Sequence, residues 1–132
     1  LYLAENFHKL GCKVFYPGLK SHKGHKLLKK IMNKGFGYGG MLAIDAGTTE
    51  QANKVMENMQ HEKVGYLAVS LGYFKTLFSS PGHSTSSEIP EEERKAMGLS
   101  DGLVRISIGL DNDIKRTFKR IKKCFIQAGL CK

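Results

Sequence analysis

The chain has 132 residues, the length of a single domain, and 41% of them are hydrophobic while 25% are charged, which is an ordinary globular balance. All apolar runs fall well short of the about 20 residues that a membrane-spanning helix needs, so we expect a soluble domain with no membrane partner. Lys and Arg number 21 against 12 Asp and Glu, and the net charge of +9 raises the question of an anionic partner such as nucleic acid.

The basic residues are concentrated in two parts of the chain. Lysines crowd residues 9–34, and lysines and arginines crowd residues 115–123. Their spacing suits the polar sides of amphipathic helices, with few aromatic residues between them and no nucleic-acid-binding signature. We therefore interpret them as solvated helix faces. A stand-alone basic module that binds nucleic acid is the alternative of a different class.

The three cysteines, Cys12, Cys124 and Cys131, are odd in number and have neither metal-binding nor redox spacing. No secretory signal is visible in the sequence. We interpret the cysteines as free thiols of a protein in a reducing compartment, and we expect a cytoplasmic location.

The first predicted elements are a helix over 1–10, a strand over 13–16 and a helix over 22–33. The apolar stripe of the first helix begins at once, so the chain starts inside an element and we expect a piece of a longer protein. Ser21 could cap the second of these helices. Its predicted inner side carries four apolar residues, namely Leu27, Leu28, Ile31 and Met32.

A glycine-rich stretch over 35–40 leads into a predicted strand over 41–46. Thr48 and Gln51 form a possible capping box for the helix that follows. The next predicted strand covers 64–71, because its residues are mostly apolar and follow a helical pattern that ends before them.

A polar loop over 79–89 precedes a helix that starts at Pro90, since proline suits the first turn. A strand over 103–108 and a last helix, which Asp111 could cap, complete the chain. We therefore predict a small α+β domain over 1–132, with a mostly antiparallel sheet and helices packed on one face of it.

The strand around Arg105 has the most informative pattern. Val104, Ile106 and Ile108 fall on one side of it and Arg105 on the other. If the apolar side packs on the helices, the guanidinium points off the opposite face and needs a partner. Its planar fork suits a carboxylate, so the interpretations are a ligand-binding arginine or an ordinary exposed strand arginine.

Other candidate sites have weaker patterns. The glycines of 35–40 could cradle a phosphate, although a flexible entry to a strand explains them as well. His22 and His25 could share a metal ion, but no nearby Cys or acid completes a site, so we predict no metal. Ser70 could act as a nucleophile, yet no base lies at a useful spacing.

Five ordered strings then resemble the C-terminal domain of the Cys/Met-metabolism enzymes that use pyridoxal phosphate. They are VFYPGLKSH (14–22), GFGYGGML (35–42), SLG (70–72), STSS (84–87) and GLSDGLVRISIG (98–109). The resemblance covers nearly the whole chain and implies the small domain of a fold-type I enzyme. Within the family, SLGYFKTL (70–77) with STSS is most similar to methionine gamma-lyases of the plant type.

The resemblance implies roles for particular residues. Arg105 matches the family arginine that binds the substrate's α-carboxylate, and Thr85 matches a threonine that helps hold this arginine. Ser70 matches a serine beside the cofactor-linked lysine. Val69 and Leu71 would line the substrate pocket around it. Many relatives have a histidine after the threonine, where this chain has serine, which leaves the subfamily open.

The resemblance also implies what this chain lacks. The family's catalytic lysine occurs in a Ser-x-x-Lys context, and no serine here is followed by lysine three positions later. We therefore expect no catalytic residue in this fragment, which would lack the large cofactor-binding domain and be inactive alone.

Several alternatives remain open under this resemblance. The parent enzyme would break C–S bonds with pyridoxal phosphate, as a sulfur amino-acid lyase. It could also be a cystathionine lyase or synthase, or a homoserine-ester sulfhydrylase. Relatives of this kind assemble as homo-tetramers. A degenerate regulatory domain that keeps the fold without the chemistry is a further possibility.

Overall fold

The computed structural model describes residues 1–83 and 88–131. In chain order its helices and strands are α1 (Tyr2–Lys9), β1 (Lys13–Phe15), α2 (His25–Ile31), β2 (Met41–Asp45), α3 (Thr49–His61), β3 (Gly65–Leu67), β4 (Thr76–Ser79), a 3₁₀ turn (Pro81–His83), α4 (Glu91–Ala96), β5 (Leu103–Ser107) and α5 (Ile114–Gln127).

The five strands form one sheet in the order β1-β2-β5-β4-β3. Three of the four pairings are antiparallel, and only β3 and β4 run parallel. β5 lies in the centre, where Arg105 pairs with Ala43 of β2 on one side and with Ser79 of β4 on the other. The predicted α+β class with a mostly antiparallel sheet is confirmed.

Helices α1, α3 and α5 cover one face of the sheet. Their apolar residues Phe7, Met59 and Phe125 are fully enclosed, as are Ile44 and Ile106 on the facing strands. Enclosing each large side chain is worth about 1.5–3 kcal/mol, so this layer provides most of the stability. We call this side the helix-covered face and the other side the open face.

Side-chain caps mark where α3 and α5 begin. The Thr48 hydroxyl accepts a hydrogen bond from the Gln51 N–H at the start of α3, as predicted. The cap of α5 is Asp113, which accepts from the Arg116 N–H, so the prediction of Asp111 was wrong by two residues. Asp111 instead accepts the Asp113 N–H and so shapes the turn just before the cap.

The predicted second helix differs most from the structure. It is shorter than predicted, and α2, which is described in full, buries none of its residues. Leu27 and Ile31, which were expected on an inner side, are 63% and 68% exposed. The reason is that α2 follows an edge strand and lies away from the other helices, so its apolar residues find no second layer to pack on.

The region after α3 also differs from the prediction. The strand predicted over 64–71 ends at Leu67, and a further strand, β4, follows at Thr76–Ser79. Only eight residues, 68–75, join these two parallel strands, which is fewer than such a connection usually needs. We call residues 68–75 the strap.

The expectation of three free thiols was wrong. Cys12 and Cys131 form a disulfide across 119 positions of the chain, and only Cys124 is free among the described cysteines. Their lack of motif spacing could not reveal this pairing, because the fold brings the residues after α1 and α5 together. The argument from free thiols for a reducing compartment is thereby removed. Burial raises the pKa of the Cys124 thiol to about 11.

Helices able to cross a bilayer are lacking in the described part of the chain, since every helix there is too short or too polar.

Candidate functional site

The open face around β5 carries the candidate site. Val104 and Ile106 are fully buried on the helix-covered face, whereas Arg105 between them is only partly exposed and projects from the open face. A period of two along a strand produces this division. Ser79 and Ala43 flank Arg105 on the neighbouring strands and share its face.

The strap runs over this part of the open face and contacts the guanidinium. Arg105 Nη2 donates hydrogen bonds to the carbonyl oxygens of Val69, at 2.8 Å, and Ser70, at 3.2 Å. The Ala68 N–H donates to the Phe78 carbonyl, so the strap leaves the sheet edge beside β4. Backbone carbonyls hold one end of the fork and leave its positive charge uncompensated.

Two further bonds fasten the strap to the end of β5. The Gly72 N–H donates to Ser107 Oγ at 3.0 Å, and the Leu110 N–H donates to the Phe74 carbonyl at 2.8 Å. Gly109 lies so close that a Cβ there would be 2.4 Å from the Lys75 carbonyl carbon. This close approach explains why a glycine follows β5 at that position.

Two buried polar atoms at this place have no hydrogen-bond partner within the described residues. They are Arg105 Nε and the Oγ of Ser79, the cross-strand neighbour of Arg105. Buried donors and hydroxyls are normally satisfied in folded proteins, so an unsatisfied pair at adjacent positions indicates a group that residues 1–83 and 88–131 do not supply. An acceptor such as a carboxylate meets that need.

Arg105 also lacks an acidic partner among residues 1–83 and 88–131. The five ion pairs found there join other residues, namely Lys13–Asp45, Arg94–Asp101, Lys95–Glu91, Arg116–Asp111 and Lys123–Glu62. The comparison with Arg94 is informative, because that arginine is directed to Asp101 while Arg105 has only carbonyl acceptors. A guanidinium without a carboxylate on a partly enclosed face is suited to an external one.

Asp45 is the carboxylate on the open face, at the far end of β2 from the strap. Burial alone would raise its pKa, but bonds from the Ser100 hydroxyl, Lys13 Nζ and the Gly47 N–H outweigh burial and hold the pKa of Asp45 below its usual range. Its side chain is only 7% exposed. Asp45 is therefore a structural anion that ties β1, β2 and the turn before β5 together.

The structure brings three of the five predicted site residues together. Val69 and Ser70 meet Arg105 through their carbonyl groups, while the Val69 side chain and the Ser70 residue are exposed. Leu71 follows in the strap with its side chain exposed. Thr85, with the STSS string to which it belongs, lies outside the described residues.

Exposed apolar side chains are concentrated on β3 and the strap. Six large ones are between 47% and 60% exposed, namely Tyr66, Leu67, Val69, Leu71, Tyr73 and Phe74. We call these six residues the apolar stripe. Single exposed apolar residues are ordinary, but six within nine positions form a patch that typically marks an interaction surface.

Ser107 and Ser79 were not predicted to be site residues. Ser107 lies two positions after Arg105, and the alternation of side chains along a strand places both on one face. That signal was available, but the role of Ser107 depends on the strap, and the strap depends on the unpredicted strand β4.

The two remaining histidine and glycine candidates have structural partners. The Gly24 N–H donates to His22 Nδ1, and His25 Nδ1 donates to the Pro17 carbonyl. No group of three or more metal-binding side chains occurs in the part of the chain that the structure describes. The glycine stretch supplies the Gly39 carbonyl, which accepts from the Tyr16 hydroxyl.

Comparison with known proteins gives a family for this geometry. A family model described as "Cys/Met metabolism PLP-dependent enzyme" matches residues 2–120. A methionine gamma-lyase of Arabidopsis thaliana is 46% identical over 125 residues, which is 94% of this chain and 28% of that protein. A cystathionine gamma-lyase of Bacillus subtilis is 38% identical over 99 residues, 75% of this chain and 24% of that protein.

Solved structures agree with this match. The crystal structure of cystathionine gamma-lyase from yeast superimposes with a TM-score of 0.86 at 32% identity, over 97% of this chain and 32% of that one. Cystathionine gamma synthase from Xanthomonas oryzae, in a complex with aminoacrylate and cysteine, gives a TM-score of 0.80 at 26% identity, over 97% and 33%. This chain thus spans about a third or less of the proteins that it matches.

Proposed function

Because this chain belongs to the family of Cys/Met-metabolism enzymes that depend on pyridoxal phosphate, we propose that it forms the part of such an enzyme that binds the substrate's α-carboxylate. The whole enzyme would then be a sulfur amino-acid lyase that breaks a C–S bond, as the name of the Arabidopsis relative suggests. The family assignment favours this function over a basic module that binds nucleic acid.

The guanidinium of Arg105 is the observation that carries the proposal. Nη2 is held by two strap carbonyls, and among the described residues Nη1 makes no hydrogen bond and the buried Nε has no partner. The fork is therefore oriented before any ligand arrives. A carboxylate would accept the N–H groups that the strap carbonyls leave free and would receive the full positive charge, which fixes the position of an amino acid.

The residues around Arg105 fit a carboxylate and do not fit the cofactor. The unsatisfied atoms there are a guanidinium nitrogen and a hydroxyl, and the carboxylate on this face, Asp45, is already engaged by Lys13, Ser100 and Gly47. No acid is thus free beside Arg105, among the described residues, to pair with a pyridine nitrogen. When bound elsewhere in the enzyme, pyridoxal phosphate supplies the electron sink for elimination.

The side chains of the strap are the candidates for contacts with the rest of the substrate. Val69 and Leu71 are exposed apolar groups next to the residues that hold Arg105. An apolar recess of about 310 Å³ lies beside Val69 and is also lined by Met56 and Ser79. We propose that Val69 and Leu71 line the substrate pocket, that Ser70 presents its hydroxyl there, and that Thr85 supports Arg105.

The apolar stripe fits a large protein partner. Four of its six residues belong to the strap and the other two to β3, so a partner that covers them also closes the surroundings of Arg105 and excludes water from a bound carboxylate. We propose that this partner is the cofactor-binding part of the same enzyme, within a homo-tetramer. By this proposal the chain on its own has no turnover.

Several reactions are compatible with the same carboxylate clamp. Elimination at the β or the γ carbon, and replacement as in cystathionine synthases or homoserine-ester sulfhydrylases, all begin with an α-amino acid held by its carboxylate. The curated relatives include both gamma-lyases and beta-lyases. The clamp therefore supports the substrate class, an α-amino acid, more strongly than the bond that is broken.

The decisive experiment replaces Arg105 with Ala in the full-length enzyme. We expect kcat/KM to fall by about 30- to 1,000-fold, which corresponds to about 2–4 kcal/mol for loss of one partner of a desolvated charge pair. Arg105→Lys keeps the charge but not the fork and should fall in between. The absorbance of the bound cofactor should be unchanged in both variants.

Arg116→Ala is the matched control, because Arg116 pairs with Asp111 on the surface and is 63% exposed. Its kinetics should equal those of the wild type. Unchanged kinetics in Arg105→Ala would show that the substrate carboxylate is bound elsewhere, and the proposed function of this chain would be lost.

A further inference from the structure

Ser107 places a buried hydroxyl on the open face, and this hydroxyl makes one hydrogen bond among the described residues. It is the last residue of β5, two positions after Arg105, and it is 4% exposed. Its Oγ accepts the Gly72 N–H at 3.0 Å. Met41 and Leu77 flank it on the neighbouring strands, so its direct neighbours across the sheet are apolar side chains.

The strap depends on a small number of bonds. Its side chains Val69, Leu71 and Tyr73 are about half exposed, so they add little packing against the sheet. Between Ala68 and Phe74, the hydrogen bonds that the strap makes to the described sheet come from two side chains only, Arg105 and Ser107. Those two side chains lie on the same face of the same strand.

The short strap couples the bond at Ser107 to the bonds at Arg105. Gly72 follows Ser70 by two residues and has a φ of +73°, a left-handed conformation that favours glycine. This turn directs the Gly72 N–H to Ser107 while the carbonyls of Val69 and Ser70 point to Arg105. If the Gly72 bond is lost, the strap is free to move, and the acceptors that orient the guanidinium move with it.

We propose that Ser107 is a positioning residue for substrate binding: its hydroxyl fixes the strap, and the strap in turn fixes the guanidinium of Arg105. Ser107 touches neither the substrate nor the cofactor. This inference rests on the proposed function, because it assigns to Ser107 an effect on carboxylate binding through Arg105.

The test compares Ser107→Ala with Ser107→Thr in the full-length enzyme. Loss of the one hydrogen bond that the buried Ser107 hydroxyl accepts predicts a rise in KM of about 3- to 10-fold, with kcat within about 2-fold of the wild type. Ser107→Thr keeps the hydroxyl and should restore KM. Ser107→Cys, of similar size but a weaker acceptor, should give a smaller rise and replaces the Ala variant if that protein does not fold.

Ser100→Ala is the matched structural control. Ser100 also uses its hydroxyl in the fold, where it donates to Asp45, but it lies before β5 and does not contact the strap. Its loss should lower stability without changing KM. Equal KM values in Ser107→Ala and Ser100→Ala would overturn the inference.

Two further readouts separate positioning from a general loss of structure. Inhibition by the amine that corresponds to the substrate without its carboxylate should be equal in wild type and Ser107→Ala, because that amine does not use Arg105. Hydrogen exchange at the Gly72 amide should be faster by about 10-fold or more in Ser107→Ala, since one hydrogen bond protects it. Unchanged exchange at Gly72 would contradict the proposed bond.

The outcome also distinguishes this inference from the proposed function. If Arg105→Ala does not change KM, the clamp itself is absent and the proposed function fails. If Arg105→Ala raises KM and Ser107→Ala does not, the clamp stands and only the positioning role of Ser107 is wrong.

Discussion

The two faces of the sheet differ in how completely their side chains find packing and hydrogen-bond partners within the described residues. On the helix-covered face, Val104 and Ile106 meet helices and no solvent reaches them. On the open face, Arg105 and Ser79 keep buried polar atoms unpaired within the described residues, and the apolar stripe stays half exposed. Alternate residues of one strand, β5, thus contribute to the core on one side and, by our proposal, to substrate recognition on the other.

The largest expected effect tests the helix-covered face. Replacing Phe125, which is fully buried in α5, with Ala should lower the free energy of unfolding by about 3–5 kcal/mol, because it removes a large apolar side chain and leaves a cavity. Leu71→Ala in the strap is the control and should change stability by less than about 0.5 kcal/mol. Urea unfolding of this chain measures both. Similar losses in the two variants would show that the strap is as tightly packed as the core.

A smaller effect is expected at Asp45, where the open face has an engaged charge. Asp45→Asn should cost about 1.5–3 kcal/mol, the range for hydrogen bonds to a charged group. The pKa of Asp45 is lowered in the folded state, so its contribution is present above the unfolded pKa of about 3.9 and is lost as the pH falls through the folded value.

Unfolding midpoints measured from pH 7 down to pH 2 check this dependence. The wild type should lose its advantage over Asp45→Asn as the pH falls below about 4. A difference between the two proteins that stays constant down to pH 2 would mean that the carboxylate charge does not contribute.

The smallest effect on stability is expected at Arg105 itself. Arg105→Ala removes two hydrogen bonds to strap carbonyls but also removes an unpaired buried donor, so the net change should stay within about 1 kcal/mol. Thermal unfolding of this chain with and without the substitution measures it. A loss as large as that of Phe125→Ala would assign Arg105 to the fold rather than to recognition.

The helix-covered face could be predicted well from the sequence. The alternation around Arg105, the cap at Thr48 and the helical apolar spacing of α1, α3 and α5 are local patterns, and each is present in the structure. Local periodicity is sufficient here because a buried face constrains every second or every third to fourth residue.

The open face was predicted less completely, since its features depend on distant parts of the chain. β4 was missed because Thr76–Ser79 is a short run that becomes a strand by pairing with β3 on one side and β5 on the other. The strap is defined only once β4 exists, and the burial of Ser107 and Ser79 follows from it. The exposure of Leu27 in α2 is likewise a tertiary effect, because no other described helix packs against this side chain.

The disulfide between Cys12 and Cys131 has a consequence for how cleavage of this chain is observed. It joins two cysteines 119 positions apart in the sequence, one after α1 and the other after α5, and so closes a ring of chain between them. A single proteolytic cut anywhere inside that ring leaves both pieces covalently attached. On a denaturing gel without a reducing agent the nicked protein should run as one band, and with a reducing agent it should separate into two.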